Sequence, residues 1–294
     1  MTSDPLRVEL FKVTGKRRQG AKKPIKRRLQ RSLRNELARA SERMRIDHEP
    51  NADDVHEARK AIRRVRAWLR WSKDRRKPDL VALDAELKAA RTRLSSLRDA
   101  GSSLETIDRI RRRLPTAELR LEMRHWREAL AASAKDQIRG FAGGLGQQRL
   151  AQRLHAATSE LKQGGRIGRG QVSKATLRSL ARARQAALAI DGRRSASLRH
   201  AARRAIRLLS LQLVQARALG IDLVDEQMAR RIDRLAKALG AENDLAVLSR
   251  RARRGPIPRS ADLCRWIDEE RQRLIERNDR LAQRFDAECA ALDR

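Results

Sequence analysis

The chain has no tyrosine, and aromatic residues make up only 2% of it. Modules that read single-stranded nucleic acid stack bases on aromatic rings, so this scarcity argues against that class. Cysteine occurs only at Cys264 and Cys289, too far apart for a Cys-x-x-Cys clip and without paired histidines. That argues against a zinc module and leaves structural or incidental thiols. No apolar run approaches the ~20 residues of a membrane span, and Met1 to Phe11 has neither an apolar signal core nor a small-residue cleavage pattern. A soluble cytoplasmic protein is the expectation. Seven prolines and no long strand-like runs, in a sequence rich in Ala, Leu, Arg and Glu, predict helices throughout.

Acidic residues are scarce beside basic ones, 37 Asp and Glu against 70 Lys and Arg, giving a formal charge of +33. Such a charge exceeds what solubility needs and strains the compact state by self-repulsion, so the chain should meet a polyanion. Its 294 residues and 40% apolar content suffice for a real core in one large domain or two ordinary ones.

One phrase occurs twice. His56-Glu57-Ala58-Arg59-Lys60-Ala61-Ile62-Arg63 returns as His200-Ala201-Ala202-Arg203-Arg204-Ala205-Ile206-Arg207. A second landmark follows each copy, Leu94-Ser95-Ser96-Leu97-Arg98-Asp99 and Leu239-Gly240-Ala241-Glu242-Asn243-Asp244. A period near half the chain predicts a duplication of whole helical bundles. The expected organisation is a basic tail over residues 1–23, a first bundle over 24–163, a glycine-rich linker over 164–170 and a second bundle over 171–294.

Helices are predicted at about Pro24–Arg45, Asp54–Lys73, Pro78–Leu97, Ser102–Arg113, Ala117–Ile138, Gln147–Gln163, Lys174–Ile190, Ser195–Ala218, Asp222–Leu239, Asn243–Arg253 and Ser260–Leu292. Leu29, Leu33, Leu37, Ala40 and Met44 give the first an apolar stripe. Asp53 or Asp54 is the expected cap of the next.

On that second helix His56, Arg59, Arg63, Arg66 and Arg70 fall within roughly an 80° arc, beside Val55, Ala58, Ile62, Val65 and Leu69. One edge packs and the adjoining edge presents cations over roughly 21 Å of helix. Like charges at these spacings repel, which suggests a partner that supplies negative charge. Phosphoryl oxygens fit, since each guanidinium offers a fork of donors. The histidine should be neutral among arginines at pH 7 and gain a proton as a polyanion arrives, so binding should strengthen in mild acid. Affinity unchanged between about pH 6 and 8 would count against a contacting histidine.

The pattern Val55-His56-x-x-Arg59-x-x-x-Arg63-Arg64-x-Arg66, its second copy at His200 and the landmark after each resemble the conserved histidine α-helical domain, or CHAD, family. The resemblance covers about Pro24 to Leu292. It implies an all-α fold of two four-helix bundles related by pseudo-twofold symmetry, whose motif helices line a basic surface that binds inorganic polyphosphate, and it implies no catalysis. The corresponding ligand residues would be His56, Arg59, Lys60, Arg63, Arg66 and Arg70, with His200, Arg203, Arg204 and Arg207. The second stripe is shorter, because Leu208 and Ser210 stand where the first has Arg64 and Arg66. Arg27, Arg31 and Arg34 on the first helix either extend the site or form a solvated basic face. Lys16, Arg17, Arg18, Lys22 and Lys23 read as an electrostatic fringe.

The resulting expectation is a stand-alone module binding long polyphosphate in a groove where the motif helices approach, with recruitment to polyphosphate granules or to polyphosphate-metabolising proteins. The main rival is non-specific binding to a DNA or RNA backbone, for which +33 is equally suitable. An enzyme acting on phosphorylated substrates is the second rival, but no base or metal cluster supports it. Asp99 and Asp244 read as helix caps or ion-pair partners rather than metal ligands, because arginines beside them would repel a divalent ion. Gly164 to Gly170 lacks the Gly-Lys-Ser/Thr end of a phosphate-binding loop. No cofactor is expected. His125, Trp126 and Trp266 read as rings buried or half-buried in helices, and Trp68 and Trp71 as packing residues beside the motif.

Overall fold

The computed structural model describes residues 22–45, 47–71, 78–163, 167–254 and 259–292. These form nine α-helices and one 3-10 turn, with no strand among the described residues. They are α1 (Lys22–Arg43), α2 (Ala52–Leu69), α3 (Pro78–Ile110), the turn Arg111–Arg113, α4 (Ala117–Phe141), α5 (Leu145–Gln163), α6 (Arg169–Leu188), α7 (Ala196–Ala218), α8 (Glu226–Arg254) and α9 (Ala261–Leu292). The protein is all-α, as its composition predicts. Among the described residues no helix is long and apolar enough to cross a membrane. Most of the basic tail lies outside the described residues, and only Lys22 and Lys23 of its lysines fall within α1.

Leu29, Leu33, Leu37, Ala40 and Met44 are all buried, and α1 packs this stripe against α2 and α5. Each such leucine contributes ~1.5–3 kcal/mol relative to exposure, so the stripe fixes the roll of the helix. The cap of α2 is Asn51 rather than Asp53 or Asp54. Asn51 has extended backbone, its Oδ1 accepts from the amides of Asp53 and Asp54, and the Asp54 carboxylate accepts from the Asn51 amide at 3.1 Å. This reciprocal box needs the acid three residues after the cap, a position Asp54 fills.

Two expected breaks are absent. Helix α3 runs through Gly101 and α8 runs through Gly240. A mid-helix glycine costs about 1 kcal/mol relative to alanine, whereas the flanking Leu94, Leu97, Ile107 and Ile110, and Leu235, Leu239, Leu245 and Leu248, are all buried. The apolar face outweighs the glycine. Asp244 therefore lies in the interior of a helix and does not cap one. The side chains of Arg98 and Asp99 lie outside the described residues.

Two compact units divide the chain, and neither coincides with a sequence half. The first comprises residues 1–94, 141–180 and 208–229, and the second comprises 95–140, 181–207 and 230–294. Most of the glycine-rich segment, read as the linker, belongs to the first unit; Arg169 and Gly170 open α6, while residues 164–166 lie outside the described residues.

In the first unit, Ser41 Oγ donates to the Ala151 carbonyl at 2.9 Å, and Gln147 Nε2 donates to the carbonyls of Arg45 and His48. Trp68 and Trp71 are buried as expected, and Trp71 Nε1 donates to Thr176 Oγ1 at 3.0 Å. In the second unit, Ile107, Ile110, Leu114, Met123, Trp126, Leu245, Leu248, Leu263, Trp266 and Ile267 share one core. His125, next to Trp126, is exposed rather than buried. The Arg259 guanidinium lies 5.6 Å over the Trp126 ring.

Candidate functional site

The cap sets where α2 begins, and the buried positions Val55, Ala58, Ile62, Val65 and Leu69 set which way it faces. Beside that apolar edge His56, Arg59, Lys60, Arg63, Arg66 and Arg70 are all half-buried, belonging neither to the core nor to a fully solvated face. At such a boundary long cationic side chains can pack their stems against the core; Arg59 Nη1 is itself shielded from water.

The last turn of this stripe is held internally. Arg66 forms a two-pronged ion pair with Asp84 of α3, Nε to Oδ1 at 2.7 Å and Nη2 to Oδ2 at 3.2 Å, and Arg70 Nη2 lies 3.7 Å from the same carboxylate. Asp84 thus draws the last turn of the stripe into an internal ion pair. Lys60 meets Glu57 at 3.2 Å. Arg64, outside the arc, pairs with Glu36 of α1 at 3.0 Å, and Gln215 Nε2 donates to the Arg64 carbonyl at 2.8 Å. These contacts anchor the back of α2 within the first unit.

Glu36, the residue by which α1 reaches α2, lies roughly half a turn around α1 from Arg27, Arg31 and Arg34. This contact therefore does not bring those three to the stripe. Arg27 and Arg31 are exposed, and Arg34 is half-buried with its Nε shielded from water and without a hydrogen-bond partner.

The second copy sits on the part of α7 that belongs to the second unit. His200 is exposed, with Nδ1 3.3 Å from Asn243 Oδ1. Arg203 and Arg207 are half-buried, Arg204 is exposed, and Arg203 Nε is buried without a hydrogen-bond partner. With Nδ1–H donating to Asn243 Oδ1, Nε2 of the neutral ring is left as a hydrogen-bond acceptor.

A helical repertoire with paired His-x-x-Arg-x-x-x-Arg units is matched by one family model, the CHAD domain, over residues 28–253. The chain belongs to the CHAD family. A solved structure described as the CHAD domain from the plant Ricinus communis aligns over 88% of this chain and 88% of that one, with a TM-score of 0.59 and 17% identity. At that identity the likeness shows the shared fold. No curated protein matches the chain.

In this CHAD protein the second motif rests on a buried charge network that the sequence reading missed. Arg199, one residue before His200, is 4% exposed and bonds both carboxylate oxygens of Glu242; its Nη1 lies 2.8 Å from Asp279 Oδ1. It also donates to the carbonyls of Ile190, Arg193 and Ile275, and Asn278 Nδ2 donates to Glu242 at 2.8 Å. Burial works against the Arg199 charge, but Glu242 and Asp279 overcome it and hold its pKa above the ordinary guanidinium value. The network ties α7 to α8 and α9 next to His200. The first motif has Val55 at the corresponding place. The signal available in the sequence was an acid inside the second landmark, Glu242, with a basic residue where the first motif is apolar. Among the described residues no three His, Cys, Asp or Glu side chains gather as a metal site requires.

Proposed function

We propose that this CHAD protein binds long-chain inorganic polyphosphate through its two His/Arg stripes, His56 to Arg63 on α2 and His200 to Arg207 on α7, and that it acts as a binding module rather than a catalyst. One observation carries the reading. The same register of imidazole and guanidinium recurs on two helices, with His56, Arg59 and Arg63 of the first copy and Arg203 and Arg207 of the second half-buried beside the core, and His200 exposed. Ordered guanidinium forks suit tetrahedral phosphoryl oxygens, and a row of them suits a chain of such groups. Family membership supports the same ligand, since CHAD domains are associated with polyphosphate-related proteins. The contribution of Arg66 and Arg70 is smaller in this reading, because Asp84 already holds them. The cellular consequence would be attachment to polyphosphate granules or to proteins that act on the polymer.

The test is binding of labelled long-chain polyphosphate across a salt series. Arg59→Glu/Arg63→Glu is compared with Arg111→Glu/Arg112→Glu, a pair exposed outside both motifs. Loss of tight binding only in the motif variant, with helicity retained, supports the proposal; equal small losses indicate bulk charge. Affinity should fall steeply with salt, by the counterion-release relation established for nucleic acids. Displacement by double-stranded DNA at equal phosphate concentration would replace the polyphosphate reading with general polyanion binding.

A further inference from the structure

The last helix carries a basic stripe of its own. On α9, Arg273, Arg277, Arg280 and Arg284 are all exposed and fall within roughly a 60° arc over roughly 17 Å. Helix α9 lies beyond residues 28–253, the span of the family match.

Some arginines elsewhere in the second unit are matched to acids, and some, such as exposed Arg124, Arg139 and Arg234, have no ion-pair partner among the described residues. Arg127 is held by Asp108, Arg184 by Asp286, Arg199 by Glu242, Arg231 by Glu288 and Arg253 by Asp268. Of the four stripe arginines Arg273 is so held, by Glu270 at 3.0 Å; among the described residues Arg277, Arg280 and Arg284 have no ion-pair partner. Like charges three, four and seven residues apart destabilise a helix, so this face carries a cost that an anionic chain would relieve. The acids flanking the arc are Glu269 and Glu276 on one side and Glu270 and Glu288 on the other; Glu276 accepts from Gln272 at 2.9 Å, Glu270 meets Arg273 and Glu288 meets Arg231.

The stripe is also held in place. Ile275, Asn278, Ala282, Phe285 and Cys289 on the opposite side of α9 are buried. The turn between α6 and α7 lies alongside it, with Gln283 Nε2 donating to Asp191 at 2.9 Å and Arg199 bridging the carbonyls of Arg193 and Ile275. That turn adds exposed Arg193 and Arg194 to the flank of the stripe.

We infer that α9 is a second anion-chain site, built from Arg277, Arg280 and Arg284 on a helix other than the two that carry the motifs. Its ligand class rests on the polyphosphate reading above. A protein with sites on different helices would bind polymer with avidity and could join two chains.

The experiment uses the full-length chain, short-chain polyphosphate and four proteins: wild type; a motif variant with Arg59, Arg63, Arg203 and Arg207 changed to Gln; that variant with added Arg277→Gln/Arg280→Gln/Arg284→Gln; and that variant with added Lys174→Gln/Arg178→Gln/Arg182→Gln. The last is a control of equal charge on exposed residues of α6. Circular dichroism checks that each folds. The expected result is weaker but saturable binding by the motif variant, a further loss of tenfold or more with the α9 changes, and less than a twofold loss with the control. Equal losses from the α9 and control changes, or no residual binding in the motif variant, would overturn the inference while leaving the motif reading intact. Motif substitution that does not weaken binding would sink the motif reading alone, and absence of binding by wild type would sink both.

Discussion

Arg199 holds Glu242 by two parallel N–H···O contacts, Nε to Oε1 and Nη2 to Oε2, the second at 2.9 Å, with both side chains 4% exposed. A charge pair buried to this degree is costly to break from one side, because the remaining ion has no water to turn to. Arg199→Met should therefore destabilise the protein by about 3–5 kcal/mol, and Arg199→Met/Glu242→Met should recover much of that loss. Urea unfolding followed by circular dichroism measures both, and a single variant as stable as wild type would contradict the assignment.

Asp84 acts as an internal competitor for the first stripe. Releasing Arg66 and Arg70 by Asp84→Asn should cost about 1 kcal/mol of stability and raise polyphosphate affinity by about fivefold. Unfolding and equilibrium binding on the same preparations test the pair of effects, which should move in opposite directions for Asp84→Asn.

The ion pair of Arg127 with Asp108 predicts a pH dependence. The hydrogen bond from Arg127 holds the Asp108 carboxyl below its usual range; partial burial opposes this, and the charges of Arg127 and Arg111 assist it. With the folded pKa lowered, the pair stabilises the fold above the unfolded carboxylate pKa and loses that contribution as pH falls through the folded value. Both side chains are about a third exposed, so Arg127→Gln should cost only about 0.5 kcal/mol at neutral pH. The difference from wild type should fade as acid unfolding is followed from about pH 5 toward pH 2.

At the start of α2, Asn51→Ala removes the acceptor for two backbone amides and should cost about 1 kcal/mol, while Asn51→Asp should cost much less. Asp54 is harder to replace, because it also meets His48 at 3.1 Å and Arg43 at 3.5 Å. Thermal melts should show damage increasing in the order Asn51→Asp, Asn51→Ala, Asp54→Ala.

The periodic features were readable in the chain itself. The Leu29 to Met44 stripe, the half-buried arc from His56 to Arg70 and the helical class all follow from 3.6-residue spacing, which is local information. What could not be read was decided by distant partners. Glu242 meets Arg199 across 43 residues, and Asp84 meets Arg66 across 18. The breaks expected after Leu97 and after Leu239 are crossed by continuous helices, because the packing of the neighbouring apolar residues is not visible in local sequence. The cap of α2 was misplaced for a related reason: Asn51, Asp53 and Asp54 all suit capping by type, and only the extended backbone at Asn51 selects among them.

The division into units has a consequence for dissection. Each unit is assembled from three separate stretches, and α3, α6, α7 and α8, with the last residue of α4, are divided between the two. A protein cut at the glycine-rich segment would leave an amino-terminal piece without Thr176, Gln212 and Gln215, which bond Trp71, Ala67 and Arg64 on and beside the motif helix. The two sequence repeats are therefore not interchangeable cassettes, and neither can be expected to stand as a miniature of the whole. Deletion mapping would mistake lost folding for lost recognition, whereas point substitutions on an intact chain keep the two apart.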